Sequence, residues 1–287
     1  MLQVENKIIS NKRIKEKYFH CVISSPEIAN CALPGQFINI KVTDKSEPLL
    51  RRPLSIHRVK GKNIELFYEV VGDATEILSQ KKPGQYLDVI GPLGNGFNVT
   101  TSVRSEAKPP RRGQRQCEAK RSLPEGDNVT TEILVAGGMG VAPLVFLAER
   151  LVTSYKLQVT SKPLILLGAI TKTGILCEKE FKKIGCNVKI ATDDGSSGFK
   201  GRVTDLLKQR LSTIDYRLST IYACGPHPML KAIAVISQEY KIPAQVSLEE
   251  HMACGIGACL GCVVETFGGL KRVCKEGPVF NAKDIIW

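Results

Sequence analysis

Between residues 131 and 241, continuous apolar runs alternate with segments of helical spacing, and this alternation constrains the fold more than any other feature of the chain. The runs TEILVAGG (131–138), PLILLGAI (163–170), NVKIATDD (187–194) and TIYACGP (220–226) read as strands. Between and after them, APLVFLAERLVTS (142–154), CEKEFKKIG (177–185), VTDLLKQRL (203–211) and HPMLKAIAVISQEYK (227–241) carry helical periodicity. A strand with no polar face must be covered on both sides. Parallel strands joined by crossover helices meet that need, so a parallel sheet with helices on both faces is expected.

Residues 1–100 follow another pattern. GQFINIKV (35–42), PLSIHRV (53–59), NIELFYEVV (63–71) and QYLDVIGP (85–92) are short, rich in β-branched and aromatic residues, and bounded by turn formers. Two PGQ turns, at 34–36 and 83–85, each introduce a strand. Short strands at this spacing predict a small closed antiparallel barrel. DATEILSQK (73–81) is the one clear helical interruption, with Asp73 expected as its N-cap.

The two regions are separated by a basic stretch. The chain has 287 residues and a formal charge of +12, and VRSEAKPPRRGQRQCEAKRS (103–122) supplies +5 of it. That stretch has two prolines, one glycine and three aliphatic residues, too little apolar surface to order itself, so 101–128 reads as a disordered, solvated insertion. Contact with an acidic partner is the sharper alternative. No aromatic residue is interleaved with the charges, so a base-stacking platform is missing there. No run of eighteen apolar residues exists, and the charged N-terminus lacks a secretory apolar core, so a cytoplasmic protein without a membrane span is expected. In a reducing compartment, ten cysteines argue for metal or redox use of some of them.

Four of the ten lie in EEHMACGIGACLGCVVETFGGLKRVC (249–274). Cys254, Cys259, Cys262 and Cys274 form C-x4-C-x2-C-x11-C, the plant-type [2Fe–2S] spacing. Gly255, Gly257 and Gly261 allow a tight loop whose N–H groups point at sulfur. Tetrahedral zinc is the rival, but zinc sites favour paired knuckles, and here one knuckle holds three cysteines. His251 is read as packing or solvent-facing. A small third unit is expected from 243 to 287, after a parallel-sheet α/β domain at 129–242 and a barrel at 1–100.

Other motifs suggest what communicates with such a cluster. RRPLSI (51–56) sets Arg52 and Ser55 three apart on a barrel strand, an arrangement suited to a pyrophosphate and a flavin edge, though an exposed strand arginine is commonplace. GDAT (72–75) opens a helix, a ready anion site. GPLGNGF (91–97) is either part of that site or a plain connection. AGGMGVAPL (136–144) and CGPHPM (224–229) each follow a strand and open a helix, where an open parallel sheet binds dinucleotides.

In this order the motifs resemble the ferredoxin–NADP reductase superfamily. The tail SLEEHMACGIGACLGCVV with VCKEGPVF resembles, more narrowly, the electron-transfer subunits of the NAD-using dihydroorotate dehydrogenases. The resemblance spans nearly the whole chain and breaks at the insertion. It implies an antiparallel flavin-binding β-barrel, a parallel-sheet nicotinamide-binding α/β domain and a small C-terminal [2Fe–2S] unit. Arg52, Pro53, Leu54, Ser55, Glu69, Val70, Val71, Ala74 and Thr75 match its flavin segments, with Leu54 where many reductases have an aromatic and Ala74 where many have glycine. Gly137, Gly138, Gly140, Cys224, Gly225 and Pro226 match its nicotinamide side, Cys224 being equally readable as a packed thiol. The four cysteines match its cluster ligands. Cys21, Cys31, Cys177 and Cys186 read as ordinary thiols, and Cys117 falls in the insertion.

The implied activity is a relay: electrons from dihydroorotate pass through the FMN of a separate catalytic subunit, the [2Fe–2S] cluster and FAD to NAD+, in pyrimidine biosynthesis, with two of each chain assembled. A flavin must lie between hydride and single-electron carriers, and the protein's part is orientation. No general base or nucleophilic constellation is found. Asp193 and Asp194 would disfavour a 2′-phosphate if they face the ribose, or else cap a turn. Two other functions remain open: a different flavin/iron–sulfur reductase subunit, linked to ferredoxin or hydrogenase, and a zinc-bearing nucleic-acid-binding module.

Overall fold

A computed structural model describes residues 1–99, 132–155, 162–213 and 219–287. The basic insertion, with Cys117, lies outside the described residues. The N-terminal elements are β1 (Leu2–Lys15), β2 (Tyr18–Ser24), α1 (Pro26–Ala29), β3 (Phe37–Lys41), β4 (Arg52–Lys60), β5 (Asn63–Glu69), α2 (Asp73–Gln80) and β6 (Tyr86–Leu93). Among the described residues the six strands close into a barrel in the order β1-β2-β5-β4-β3-β6, every pairing antiparallel. Ile8, Ile23, Ile38, Ile40, Ile56, Ile64 and Leu66 fill its interior.

The two PGQ turns work the same way. Gly35 and Gly84 adopt φ of +91° and +92°, which glycine tolerates without Cβ strain. The following glutamine then closes its own turn: Gln36 Oε1 accepts from Leu33 N at 2.8 Å and Gln85 Oε1 from Lys82 N at 2.7 Å. The N-cap of α2 corrects the sequence reading. It is Gly72, not Asp73, and the side chain that closes the turn is Thr75 at the third helical position.

The second region contains β7 (Ile133–Gly137), α3 (Val141–Tyr155), β8 (Leu164–Ala169), α4 (Glu178–Ile184), β9 (Asn187–Thr192), β10 (Phe199–Lys200), α5 (Val203–Leu211), β11 (Ile221–Cys224), α6 (His227–Glu239) and β12 (Ala244–Ser247). The hairpin β13 (Val263–Thr266)–β14 (Gly269–Arg272) and β15 (Val279–Asn281) follow. The sheet order is β10-β9-β8-β7-β11-β12-β15, parallel except for the last strand. One apolar layer joins the sheet to α3 and α4, and another joins it to α5 and α6. Both faces are therefore covered, as the uninterrupted apolar strands require.

The segment expected to stand apart from residue 243 is partly absorbed: its first and last strands, β12 and β15, extend the parallel sheet. Only the cysteine loop and the β13–β14 hairpin stand off it. The GPLGNGF turn proves to be a packing joint. Cβ atoms at Gly94 and Gly96 would fall 2.5 Å from Pro278 Cδ and Pro34 O, and Asn95 N donates to Gly277 O at 2.6 Å. No described helix is long and apolar enough to cross a membrane.

Candidate functional site

Three cavities lie end to end where the barrel meets the carboxyl ends of the parallel strands. The barrel-side cavity, about 390 Å³, is lined by Arg52, Pro53, Leu54, Ser55, Glu69, Val71 and Thr75 from the barrel, and by Ser247–Glu250 and Met252 across it. Through Glu69, Met139, Leu248 and Glu249 it adjoins a middle cavity of about 340 Å³ that also includes Gly140, Gly225 and His227. Through Gly137, Gly138 and Pro226 this adjoins a sheet-end cavity of about 690 Å³. Such concave sites at strand carboxyl ends are where open α/β sheets bind ligands.

Thr75 organises the barrel-side wall. Its Oγ1 accepts from Val71 N at 2.9 Å and Gly72 N at 3.2 Å and donates to Gly72 O at 2.8 Å, fixing the turn that opens α2. Arg52 turns its guanidinium back to Leu50 O at 2.7 Å. Val70 packs against the barrel core and Ala74 is buried, so both support the wall and do not line the cavity.

The glycines of AGGMG divide their roles. A Cβ at Gly140 would fall 2.1 Å from Cys224 O, and one at Gly137 would fall 2.8 Å from Met229 Sδ. Those two glycines allow the turns after β7 and β11 to pack together. Gly138, at φ +53° with nothing near its Cβ position, faces open space. Cys224 touches none of the three cavities. It is a packed thiol, 1% exposed, and burial pushes its pKa up. The aspartate pair separates: Asp193 lines the sheet-end cavity, while Asp194 accepts from Ser196 N at 2.9 Å and Ser196 Oγ at 2.6 Å, capping a turn.

Past Met252 the same strand-following segment enters the cysteine loop, where the thiols stand as two neighbouring pairs, Cys254 with Cys259 and Cys262 with Cys274. Cys254 Sγ accepts from the backbone N–H groups of Ile256 (3.5 Å), Ala258 (3.3 Å) and Cys259 (3.4 Å). Burial alone would raise its pKa, but these N–H groups and the Cys259 thiol bring it down to about 6. Cys262 and Cys274 are each 2% exposed, and Cys274 is pushed up to about 12, first by burial and then by the Cys262 thiol beside it. Gly255 and Gly257 take φ of +68° and +84°, as a loop of this tightness demands. Arg272 clamps the base, donating to Gly257 O at 2.7 Å while paired with Glu276. His251 is exposed.

Sequence reasoning missed several lining residues. Glu249 stands on the wall shared by the barrel-side and middle cavities, and its carboxyl pKa is raised by burial although the side chain opens on the cleft solvent. Glu16 and Tyr18, at the tip of the β1–β2 hairpin, reach the sheet-end cavity from the barrel, joined there by Arg202 and Thr204. Only the position of Glu249, a few residues before the cysteine loop, hinted at a role.

The chain is similar to proteins whose roles are described. The profile of the iron-sulfur cluster binding domain of dihydroorotate dehydrogenase B matches residues 249–286, and that of the oxidoreductase NAD-binding domain matches 134–234. A dihydroorotate dehydrogenase B (NAD(+)), electron transfer subunit from Desulforamulus reducens is 40% identical over 98% of this chain and 97% of its own length. One from Geobacillus thermodenitrificans is 38% identical over 97% of this chain and 96% of its own. Among solved structures, a chain from the NADH-dependent reduced ferredoxin-NADP oxidoreductase superposes with a TM-score of 0.76 at 30% identity, covering 98% of this chain and 90% of that one. A ferredoxin NADP+ reductase from Neisseria gonorrhoeae shares the fold at 17% identity and a TM-score of 0.61, covering 83% of this chain and 91% of that one.

Proposed function

Because the chain belongs to the family of dihydroorotate dehydrogenase B (NAD(+)) electron transfer subunits, we propose that it carries electrons from a dihydroorotate-oxidising catalytic subunit through a [2Fe–2S] cluster and FAD to NAD+. It is an oxidoreductase component, and its role implies that catalytic partner. The partner's FMN, a two-plus-two assembly, a cytoplasmic location and a place in pyrimidine biosynthesis belong to the same proposal.

The observation that carries the reading is the continuity of one segment. Ser247–Glu250 and Met252 line the barrel-side cavity, and the same segment runs straight into Cys254. Cysteine loop, barrel-side cavity and dinucleotide-type cavity therefore adjoin in the order a relay needs. Flavin, when bound, exchanges electron pairs with nicotinamide and single electrons with an iron–sulfur centre.

The residues fit these groups. Cys254, Cys259, Cys262 and Cys274 supply four thiolate donors, one of them already held by three N–H groups. Arg52–Ser55, Glu69, Val71 and Thr75 form the flavin wall, supported from behind by Val70 and Ala74, with Leu54 offering aliphatic contact in place of a stacked ring. Gly137, Gly138, Gly140, Gly225 and Pro226 form the nicotinamide-side turns, with Cys224 packed behind them. The family's name specifies NAD, and Asp193 facing the sheet-end cavity is consistent with excluding a 2′-phosphate.

The likeness to the ferredoxin-NADP oxidoreductase chain favours one second reading, a reductase subunit with the same cofactors and a ferredoxin partner. The experiment is an anaerobic absorption spectrum before and after NADH, followed by addition of an FMN-containing dihydroorotate-oxidising subunit. Flavin bands and a cluster shoulder bleached by NADH, with dihydroorotate-dependent NAD+ reduction in the mixture, are expected. A colourless protein with stoichiometric zinc would overturn the cofactor assignment. Bleaching with NADH and turnover with ferredoxin, but none with the dihydroorotate-oxidising subunit, would favour the second reading.

A further inference from the structure

β4 carries Arg52–Ser55 on the barrel-side cavity and then changes direction. Its register with β5 steps from Ile56↔Leu66 to Arg58↔Glu65, leaving His57 as the extra residue of a bulge. Bulges re-aim side chains, and this one sends two consecutive residues toward the α/β domain. His57 is fully buried. Its Nδ1 lies 2.9 Å from Ala142 O in the first turn of α3, the helix opened by the AGGMG turn. Its Nε2 lies 3.2 Å from Glu180 Oε2 on α4. Arg58 pairs with Glu149 of α3 at 2.7 Å and with the same Glu180 oxygen at 3.2 Å.

Ala142 O and the Glu180 carboxylate are both acceptors, so each ring nitrogen of the imidazole faces an oxygen. Burial works against ionisation of Glu180, but the His57 hydrogen bond and charge, with Arg58, keep its pKa below the usual value. Cys177 Sγ completes a group of three side chains close enough to hold a metal ion. The guanidinium already paired with that carboxylate supplies the positive charge a cation would bring. The ring packs against Phe67 at 5.5 Å and edge-on to His20 at 5.9 Å, so it has little freedom to move.

We propose that His57 is a positioning residue for hydride transfer, fixing the Arg52–Ser55 strand relative to the turn after β7 that faces the nicotinamide. This rests on the functional reading above. His57 lies two residues past Ser55 on one side and bonds the second residue of α3 on the other, so one buried hydrogen bond links the two cofactor walls within a few residues of each. A displacement of about 1 Å between reacting groups costs on the order of 100-fold in rate.

The test uses the full holo-protein with His57→Phe, which keeps a ring and loses both hydrogen bonds, and His57→Gln, which retains a donor. Stopped-flow measures flavin bleaching at saturating NADH, titration measures the NAD+ dissociation constant, and hydrogen exchange follows the first turn of α3. His57→Phe should lower the limiting rate by roughly 10- to 100-fold, with NAD+ affinity within about 3-fold, a weakened nicotinamide–flavin charge-transfer band and faster exchange at α3. His57→Gln should recover most of the rate. If His57→Phe does not fold, Glu180→Gln carries the test, with a smaller fall in limiting rate expected at unchanged affinity. An unchanged limiting rate in the folded His57→Phe protein, or in Glu180→Gln where His57→Phe does not fold, overturns the inference. A wild-type protein that NADH does not bleach takes down the functional reading itself.

Discussion

Asn39 Nδ2 donates 3.1 Å to the carbonyl of Cys254, tying barrel strand β3 to the first thiol of the cysteine loop across 215 positions of sequence. Asn39 is 1% exposed, and a Cβ at Gly255 would fall 2.5 Å from its amide nitrogen, so loop and strand are in close contact. Asn39→Ala removes a buried donor from a carbonyl with no other partner among the described residues, a loss of about 1–3 kcal/mol. Faster bleaching of the cluster in air, with flavin content unchanged, is the expected result. Equal cluster lifetimes in variant and wild type would show that the loop holds itself without the barrel.

The loop has an outer and an inner pair of thiols, which should respond differently to substitution. Cys259 is exposed and Cys254 half-buried, whereas Cys262 and Cys274 are each 2% exposed. Serine at any of the four should abolish the cluster's visible shoulder and its iron. Serine at Cys262 or Cys274 should also lower the thermal midpoint, because it buries a hydroxyl at a cost of about 1–3 kcal/mol. Serine at exposed Cys31 is the control and should change neither. Full iron content in the Cys274→Ser protein would exclude that residue as a ligand.

How far the sequence reveals this site depends on separation along the chain. Three of the four thiols fall within nine residues, so their spacing alone describes one loop. Likewise the apolar strands between 133 and 224 had one way to be covered on both faces. What the sequence conceals are relations that only tertiary packing creates. Gly137 and Gly140 read as ligand-facing glycines; both line cavities, but a Cβ on either would strike a neighbouring turn or Met229, and of the three only Gly138 has open space at its Cβ position. The Asp193–Asp194 pair looks equivalent until the turn takes one for capping. His57 and Asn39 sit in unremarkable local contexts, and their partners lie 85 and 215 residues away. Placing Asp73 as N-cap failed because Thr75 makes the reverse half of the cap, leaving glycine free to occupy the N-cap itself.

Thr75 has two duties that one pair of substitutions can separate. Its hydroxyl satisfies Val71 N and Gly72 N at the start of α2 and lines the barrel-side cavity. Thr75→Val keeps the shape and loses the cap, which should cost about 1 kcal/mol of stability. It also frees the turn that forms the cavity wall, so weaker FAD retention is expected, measured by flavin release on dilution. Thr75→Ser should restore both. Loss of stability with undiminished FAD affinity would confine Thr75 to helix capping.

A buried carboxylate held between the barrel's own strands should also set its acid limit. Glu65 is 5% exposed, with His20 Nε2 at 3.0 Å, Lys60 Nζ at 3.2 Å and Arg58 NH1 at 3.5 Å. Burial alone would raise its pKa, but hydrogen bonds from His20 and Lys60 outweigh it and lower the value from 4.5 to about 2. A carboxyl whose folded pKa lies below its unfolded value contributes stability in full above the unfolded value. That contribution fades as pH falls toward the folded one. The window is therefore from about 4.5 down to about 2, and the depression corresponds to about 2–3 kcal/mol once screening at exposed Lys60 is allowed for. Glu65→Gln keeps the shape and removes the charge. Its thermal midpoint should lie below wild type at neutral pH, and the gap should narrow steadily through the acid window. A constant gap across that range would mean that Glu65 contributes packing and hydrogen bonds but no titrating charge.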